Sequence, residues 1–486
     1  MLLAAVDLGS NSFRLEIGQA EGSHIERHGY WKETVRLAAG LGPDQRLSQR
    51  AIEAACACLA RINERLRGLP GSQVRAVGTQ TLRQALNANE FLLEAQSVLG
   101  YPIEIIAGRE EARLVFEGCM HSLPPSPQRR LVLDIGGASS ELIVGRGFTA
   151  DRAESFQVGC VNTTLRHFPD GVIDRLSLKR AQVACAAEFE EAITAFSRTQ
   201  WDEAYGSSGT IGAVAAILRA EGWSDGTVTA LGLLKLRQAL LAFGDTRRVK
   251  FDSIKADRAE VLAGGVAVLS AAFDTFGLHE MQTAKGALRV GLLYDLLGRR
   301  ESRDIRDATV ERIQDRFAVD RPQAARVCAA ALQLYAVIDP QAGDESRKQL
   351  QWAAQLHEVG CAISRSDYHK HSSYLIEHAD LAGFSTSDQE RIGILALAQR
   401  GNLRKIGAAL DDPQLAGKIL ALRLAVVLCH ARHAVELPAW TLKPGRAIEF
   451  GLERSWIDAH PLTRHLLDEE AQHWERVGTK FSVKAI

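Results

Sequence analysis

What this chain has little of narrows it first. None of its eight cysteines falls in a CxxC spacing, and only Cys56 and Cys58 are near neighbours. Neither a disulfide framework nor a zinc site is indicated, and the thiols read as small buried apolar residues. Aromatic residues make up only 6% of the chain, and no basic stripe interleaves with them, which argues against a nucleic-acid partner. Net charge is almost absent, at −1, so no global field draws in a polyanion. An anionic ligand must be met by a local patch, by oriented backbone amides or through a metal ion. The longest clean apolar run, near residues 261–273, is too short to span a bilayer. The N-terminal apolar stretch has no basic segment before it and is broken early by Asp7, unlike a secretory signal. The expectation is a cytoplasmic protein with no membrane partner.

Proline is sparse too, with 13 residues in 486, yet three of them, Pro124, Pro125 and Pro127, crowd into SLPPSPQRR (122–130), the best linker in the chain. A length of 486 residues with 46% hydrophobic and 24% charged content suits two to four domains with full-sized cores. Before the linker the pattern is strand, tight turn, strand, then helices and short apolar runs. After it the same plan restarts. Mixed strands and helices argue α/β. Beyond Arg300 the strand signals fade. RPQAARVCAAALQLYAVI (321–338), KQLQWAAQLHEVGCAI (348–363), SDQERIGILALAQR (387–400) and AGKILALRLAVVLCHARHAV (416–435) carry helical apolar spacing. Ser387 with Glu390 offers the third a capping box. The domains are expected at 1–124, 125–300 and 301–486, the last all-α with a less regular tail.

The informative feature is a repeated turn. LAAVDLGSNSFRLEIG (3–18) and LVLDIGGASSELIV (131–144) each run an apolar strand into Asp-x-Gly, small hydroxyl residues, and a second strand. Such turns leave consecutive N–H groups free, and glycine permits φ > 0 conformations that gather them into a concavity fit for phosphate oxygens. Gly9, Ser10, Asn11 and Ser12 in the first turn, and Gly136, Gly137, Ala138, Ser139 and Ser140 in the second, are the candidate phosphate cradle. A carboxylate beside phosphate needs a cation between them, so Asp7 and Asp134 suit organisers of Mg²⁺ or another divalent ion. Either turn alone is an ordinary Asp-Gly hairpin; the duplication is what points to a site.

Two such turns on duplicated α/β halves resemble the actin-like, sugar-kinase and chaperone ATPase superfamily. VDLGSNSFRL (6–15), GTQTLRQALNA (78–88), IAGREEARLVFEG (106–118), DIGGASSEL (134–142), GSSGTIGA (206–213), KADRAEVLAGG (255–265) and GALRVG (286–291) follow in the order seen in the exopolyphosphatase and guanosine pentaphosphate phosphatase family. The resemblance covers essentially the whole chain, and the segment 356–385 looks like part of the HD-like third domain of longer members. It implies duplicated actin-like (ribonuclease H-like) domains followed by an all-α HD-like domain. It also implies a catalytic base in the EEA motif, matched to Glu111 with Glu110 as the alternative, since neighbouring helical residues point about 100° apart. Glu141 joins Asp134 at the implied metal and phosphate site. Arg14 and Arg83 are candidate phosphate clamps, because the arginine fork suits phosphate bidentately; Arg289 is a weaker one. Gly206, Ser207, Ser208, Gly209 and Thr210 offer a further amide-rich loop. Two positions depart from the family pattern: Ala138 replaces a third glycine, and Val290 stands where Glu is common.

The leading expectation is exopolyphosphatase activity, with Mg²⁺-dependent release of terminal orthophosphate from inorganic polyphosphate by base-activated water. The alternative is removal of the 5′ γ-phosphate of guanosine pentaphosphate by the same site. An ATP-driven kinase or chaperone on this fold would need an adenosine loop, of which GALRVG is a poor version. A non-catalytic sensor of alarmone or polyphosphate would bind without releasing phosphate. In the tail, His357, Glu358, His369, His371 and His430 resemble metal-dependent His-Asp phosphohydrolases. The pair here is His-Glu, however, and the preceding helix carries no histidine, so no working metal centre is expected. Lys370, His371, Arg400, Arg404 and Lys405 are either a basic track or solvated helix faces. A homodimer through this domain is implied by resemblance only.

Overall fold

The computed structural model describes residues 1–301, 304–433, 439–445 and 447–486. They form two compact units, Met1–Asp304 and Ile305–Ile486. No helix among the described residues is long and apolar enough to cross a membrane.

The first unit contains two sheets built on one plan. β1 (Leu2–Leu8), β2 (Ser12–Glu21), β3 (His24–Thr34), β4 (Val74–Gly78) and β5 (Ile103–Ile105) lie in the order β3-β2-β1-β4-β5. β6 (Arg130–Ile135), β7 (Ser140–Arg146), β8 (Thr149–Phe156), β9 (Glu203–Ser207), β10 (Val228–Thr229) and β11 (Glu280–Thr283) lie in the order β10-β11-β9-β6-β7-β8. Read from its other edge, the second sheet repeats the first and adds β10. In both, a hairpin is followed by a parallel strand: β1 pairs antiparallel with β2 and parallel with β4, as β6 does with β7 and β9. The apolar runs of β1 and β6 are buried on both faces, as central strands of a covered sheet must be.

Two helices lie between these sheets, each on the sheet of the other half. Gly108–Ser122 follows β5 in the chain but packs on β7 and β8, whereas Leu288–Arg300, at the end of the second half, packs on β1 and β2. They share one core with Leu3, Ala5 and Val77 of the first sheet and Val132 and Ile143 of the second. The helix backbones touch. A Cβ on Gly291 would lie 1.9 Å from the Leu114 carbonyl oxygen, and one on Gly118 would lie 2.1 Å from that of Ala287. Only glycine fits at either place, which gives the GALRVG stretch a packing role.

The second unit is mainly helical. Arg321–Ile338, Asp344–Leu356, Thr386–Ala398 and Pro413–Leu428 take up the four periodic runs, with residues 434 and 435 of the last run lying outside the described residues. Two expectations are corrected. The capping box is Ser385 with Asp388, whose side chains and backbone amides bond reciprocally at 3.2 Å, so the helix starts earlier than Ser387 implied. The tail is not irregular: β12 (Trp440–Lys443), β13 (Ala447–Leu452) and β14 (Lys480–Ala485) form a three-stranded sheet in that order. Ile448, Phe450 and Leu452 bury one face of β13 at a period of two, a signal too short to stand out in the sequence.

Candidate active site

The two hairpins set equivalent residues at equivalent places. Asp7 lies across its hairpin from Arg14, and Asp134 lies across its own from Glu141. Directly opposed residues share a sheet face. One turn therefore presents a carboxylate with a guanidinium, and the other presents two carboxylates. The loops are equally tight: a Cβ on Gly9 would lie 3.0 Å from the Ser12 carbonyl oxygen, and one on Gly136 would lie 3.0 Å from that of Ser139. Contrary to the sequence expectation, Gly9, Gly136 and Gly137 do not use positive φ. Close approach is what demands glycine there, and Ala138 fits without strain. Strain sits instead at Ser208, a non-glycine residue at φ 88° that opens the helix Ser208–Ala220.

The turns face each other. A Cβ on Gly137 would touch the Cβ atoms of Asn11 and Ser10 at 3.5 Å. Between them runs a narrow cleft of about 100 Å³, lined by Asp7, Gly9, Ser10, Asn11, Ser12, Arg14, Glu111, Asp134, Gly136, Gly137, Ser139, Glu141, Ser208, Gly209, Thr210 and Arg289. Thr79 and Arg258, which sequence reasoning missed, also line it. Arg258 lies in the KADRAEVLAGG motif, and its guanidinium lies so close to Gly209 that a Cβ there would come within 2.4 Å. Two lining donors lack a protein partner although fully buried: Ser12 Oγ and Arg14 Nε. Buried polar groups are normally satisfied, so these two are open to a ligand.

The cleft brings carboxylates and cations together. Burial, with Asp7 and Asp134 adding to it, pushes the Glu111 carboxyl up against the pull of Arg83. Burial likewise raises Asp134. Glu141 is raised well above the carboxylate range by burial and then by Glu111 and Asp134. Among the cations, burial and the neighbouring Arg289 and Arg258 lower Arg14 despite Asp7. Lys32, outside the lining, is likewise lowered by burial, Arg258 and Arg14. Carboxylates and arginines lining one cleft suit a ligand that brings both anionic oxygens and a metal.

Among the described residues no three His, Cys, Asp and Glu side chains are grouped to hold a metal by themselves, so the expected set Asp7, Asp134 and Glu141 is not a ready-made triad. Arg289 draws on Asp7, its Nη1 lying 3.5 Å from Asp7 Oδ2 while its Nε donates to Glu16 at 3.1 Å. The donors still fit Mg²⁺, which is usually held by one or two carboxylates together with phosphate oxygens and water.

Six expected residues do not line the cleft. Glu110 instead accepts two hydrogen bonds from Arg113, both at 2.8 Å. Arg83 is spent on Glu111 Oε2 at 2.9 Å, the Ile106 carbonyl at 2.8 Å and Gln80 Oε1 at 2.7 Å; it fixes the carboxylate rather than waiting for phosphate. Ser140 donates to the Val158 carbonyl at 2.5 Å and Ser207 to that of Gly286 at 3.1 Å. Gly206 is buried in β9 under Ile211, and Ala138 is buried beside the turn. Thr210 lines the cleft, but its hydroxyl donates to the Ile135 carbonyl at 3.1 Å.

In the second unit, too, no three metal-ligating side chains are grouped among the described residues. His357 is buried with Nδ1 2.7 Å from the Ala354 carbonyl, and Glu358 pairs with Arg432 at 2.7 Å. Burial, then Lys405 and Arg400, hold His369 down at about 4. Lys370 pairs with Asp367 at 2.9 Å, and Lys405 donates to the Arg400 carbonyl at 2.6 Å.

Comparison with known proteins bears on the same residues. Residues 19–300 match the model of the Ppx/GppA phosphatase family, and residues 305–471 match that of Ppx/GppA phosphatase, domain III. The chain is 35% identical to the guanosine-5′-triphosphate,3′-diphosphate pyrophosphatase of Aeromonas hydrophila, over 98% of this chain and 97% of that protein. It is 33% identical to the protein of the same name from Photobacterium profundum, over 98% and 97%. An exopolyphosphatase from Cytophaga hutchinsonii has the same fold with a TM-score of 0.55 at 19% identity, covering 61% of this chain and 98% of that one. The Aquifex aeolicus PPX-GPPA enzyme does so with 0.52 at 24%, covering 60% and 99%. The two similar sheets are the duplicated actin-like halves of that fold.

Proposed function

Because the chain belongs to the Ppx/GppA phosphatase family, we propose that it hydrolyses a terminal phosphoanhydride, and that its substrate is guanosine pentaphosphate, cut to the tetraphosphate and orthophosphate. The order of the two substrates expected from sequence is thereby reversed. What supports the reversal is the name shared by relatives 33% and 35% identical over nearly the whole chain. The observation that carries the chemistry is the presence of Glu111 in one cleft with both Asp-Gly turns.

In this reading the γ-phosphoryl group lodges between the turns, its oxygens met by Ser12 Oγ, Arg14 Nε and the amides beside Gly9 and Gly136. Arg258 and Arg289 neutralise the phosphate behind it. Glu111, held by Arg83, accepts a proton from a water aligned with the bond to be broken. The water oxygen bonds to γ-phosphorus as the bond from that phosphorus to the bridging oxygen breaks, and the nucleotide leaves with the electron pair. Mg²⁺ at Asp134 and Glu141 would neutralise charge on the transferring phosphoryl oxygens.

Phosphate release from guanosine pentaphosphate and from long-chain polyphosphate, measured side by side, tests this. The expected outcome is a higher kcat/KM on the nucleotide; equal or better turnover of polyphosphate would overturn the substrate assignment.

A further inference from the structure

The C-terminal unit holds a cavity of about 490 Å³ that the chemistry above does not use. That volume lies within the range of small-molecule sites, roughly 300–1,000 Å³. Its interior is buried but not satisfied. Gln399 is 2% exposed; its Nε2 donates to the His357 and Ala396 carbonyls at 2.7 and 2.8 Å, while its Oε1 has no partner. The two carbonyls fix the amide's orientation, so the wall presents an acceptor that needs a donor. His473, which also lines the cavity, has a buried Nδ1 with no partner.

The mouth is cationic. Arg365 and Arg400 line it, are exposed, and have no carboxylate in ion-pair range among the described residues. The ammonium of Lys405 lies beside them on the Arg400 carbonyl. Two of the lining carboxylates are held by arginines, Glu358 by Arg432 and Glu470 by Arg423, while the third, Glu469, is half exposed beside His465 at 3.7 Å. Val426, Val427 and Leu466 supply an apolar wall. Two guanidiniums without a carboxylate outside, that of Arg400 lying 5.2 Å over the Tyr368 ring, an apolar wall, and an unmet acceptor inside call for a molecule with an anionic end and a flat, donor-bearing body. A bare phosphate chain has neither ring nor donor.

We propose that this cavity binds a nucleoside phosphate, with its phosphate on Arg365 and Arg400, its base against Val426, Val427 and Leu466, and a base N–H donating to Gln399 Oε1. The site is independent of the cleft in the first unit and of the reaction assigned there. Cys361 lines the cavity and is partly exposed, so it reports occupancy where activity would not.

The test is alkylation of the full chain, with the rate at Cys361 followed by peptide mass spectrometry and Cys328, which does not line the cavity, as the folding control. Adenosine 5′-monophosphate at ten times its half-saturating concentration should slow Cys361 alkylation about tenfold by mass action and leave Cys328 unchanged. Ribose 5-phosphate and adenosine at the same concentration should protect far less. In the R365A/R400A variant, with Cys328 behaving as before, protection by the nucleotide should disappear. Equal protection by ribose 5-phosphate would overturn the base contact. Protection that survives in the variant would overturn the phosphate contact, and no protection by any of the three would overturn the site.

Discussion

Glu110 and Glu111 are adjacent and both buried, yet their surroundings assign them different work. Glu111 faces the cleft with its carboxyl raised, which moves a base toward the pH at which it must act. Glu111→Gln should lower kcat by roughly 10²–10⁴ with little change in substrate binding. The parent's rate should fall as pH drops through a value above the ordinary carboxylate range, and that acid limb should vanish in the variant. Glu110→Gln should keep kcat and lose stability, because Arg113 loses a charged partner. Comparable kcat losses in both would refute the division. Glu141 yields a stability test. Its folded-state pKa is raised by burial and then by Glu111 and Asp134, so its contribution is full below the unfolded pKa and is lost as pH rises through the folded one. Glu141→Gln should therefore stabilise the protein by roughly 0.5–2 kcal/mol at alkaline pH while lowering activity, and give no gain in acid. Melting temperatures at the two pH values decide it.

The helix Gly108–Ser122 is positioned by a buried ionic hub. Asp295 accepts hydrogen bonds from Arg75 at 2.6 Å, Arg113 at 2.7 Å and Arg299 at 2.8 Å. Against the opposing push of burial, these three guanidiniums hold its carboxyl far below the usual range. Burial and the neighbouring Asp295 push Glu117 up to about 7, despite Arg113. Asp295→Asn should cost about 1–3 kcal/mol, since three buried arginines lose a shared charged acceptor although Arg75 keeps Glu104 and Arg113 keeps Glu110 and Glu117, and denaturant unfolding would measure the loss. A loss below about 1 kcal/mol would mean the hub does not brace the helix. At this scale the sequence was partly legible. Asp7 and Asp134 announce themselves because their turn chemistry is local. The choice between Glu110 and Glu111 is not local: the phase of their helix is set by packing on β7 and β8, far along the chain. Arg258 was invisible for a related reason, since only folding brings it against Gly209. Arg83 misled because a guanidinium suits a carboxylate as well as a phosphate, and only distance tells which it holds.

Over the whole molecule, two units with separate cores should not melt as one. Two transitions are expected by calorimetry, and orthophosphate should raise only that of residues 1–304; a single coincident transition would contradict this. Within that unit the division at residue 124 reads differently once its helices are traced. Each half keeps the apolar cover of one face of its sheet in the other half's sequence. Severed at the proline linker, both fragments would carry a helix with nothing beneath it and a sheet bared on one face, the other face keeping its own half's helices. Neither piece is a finished object, and the gene for either would encode a protein that exists only by exchange with the other.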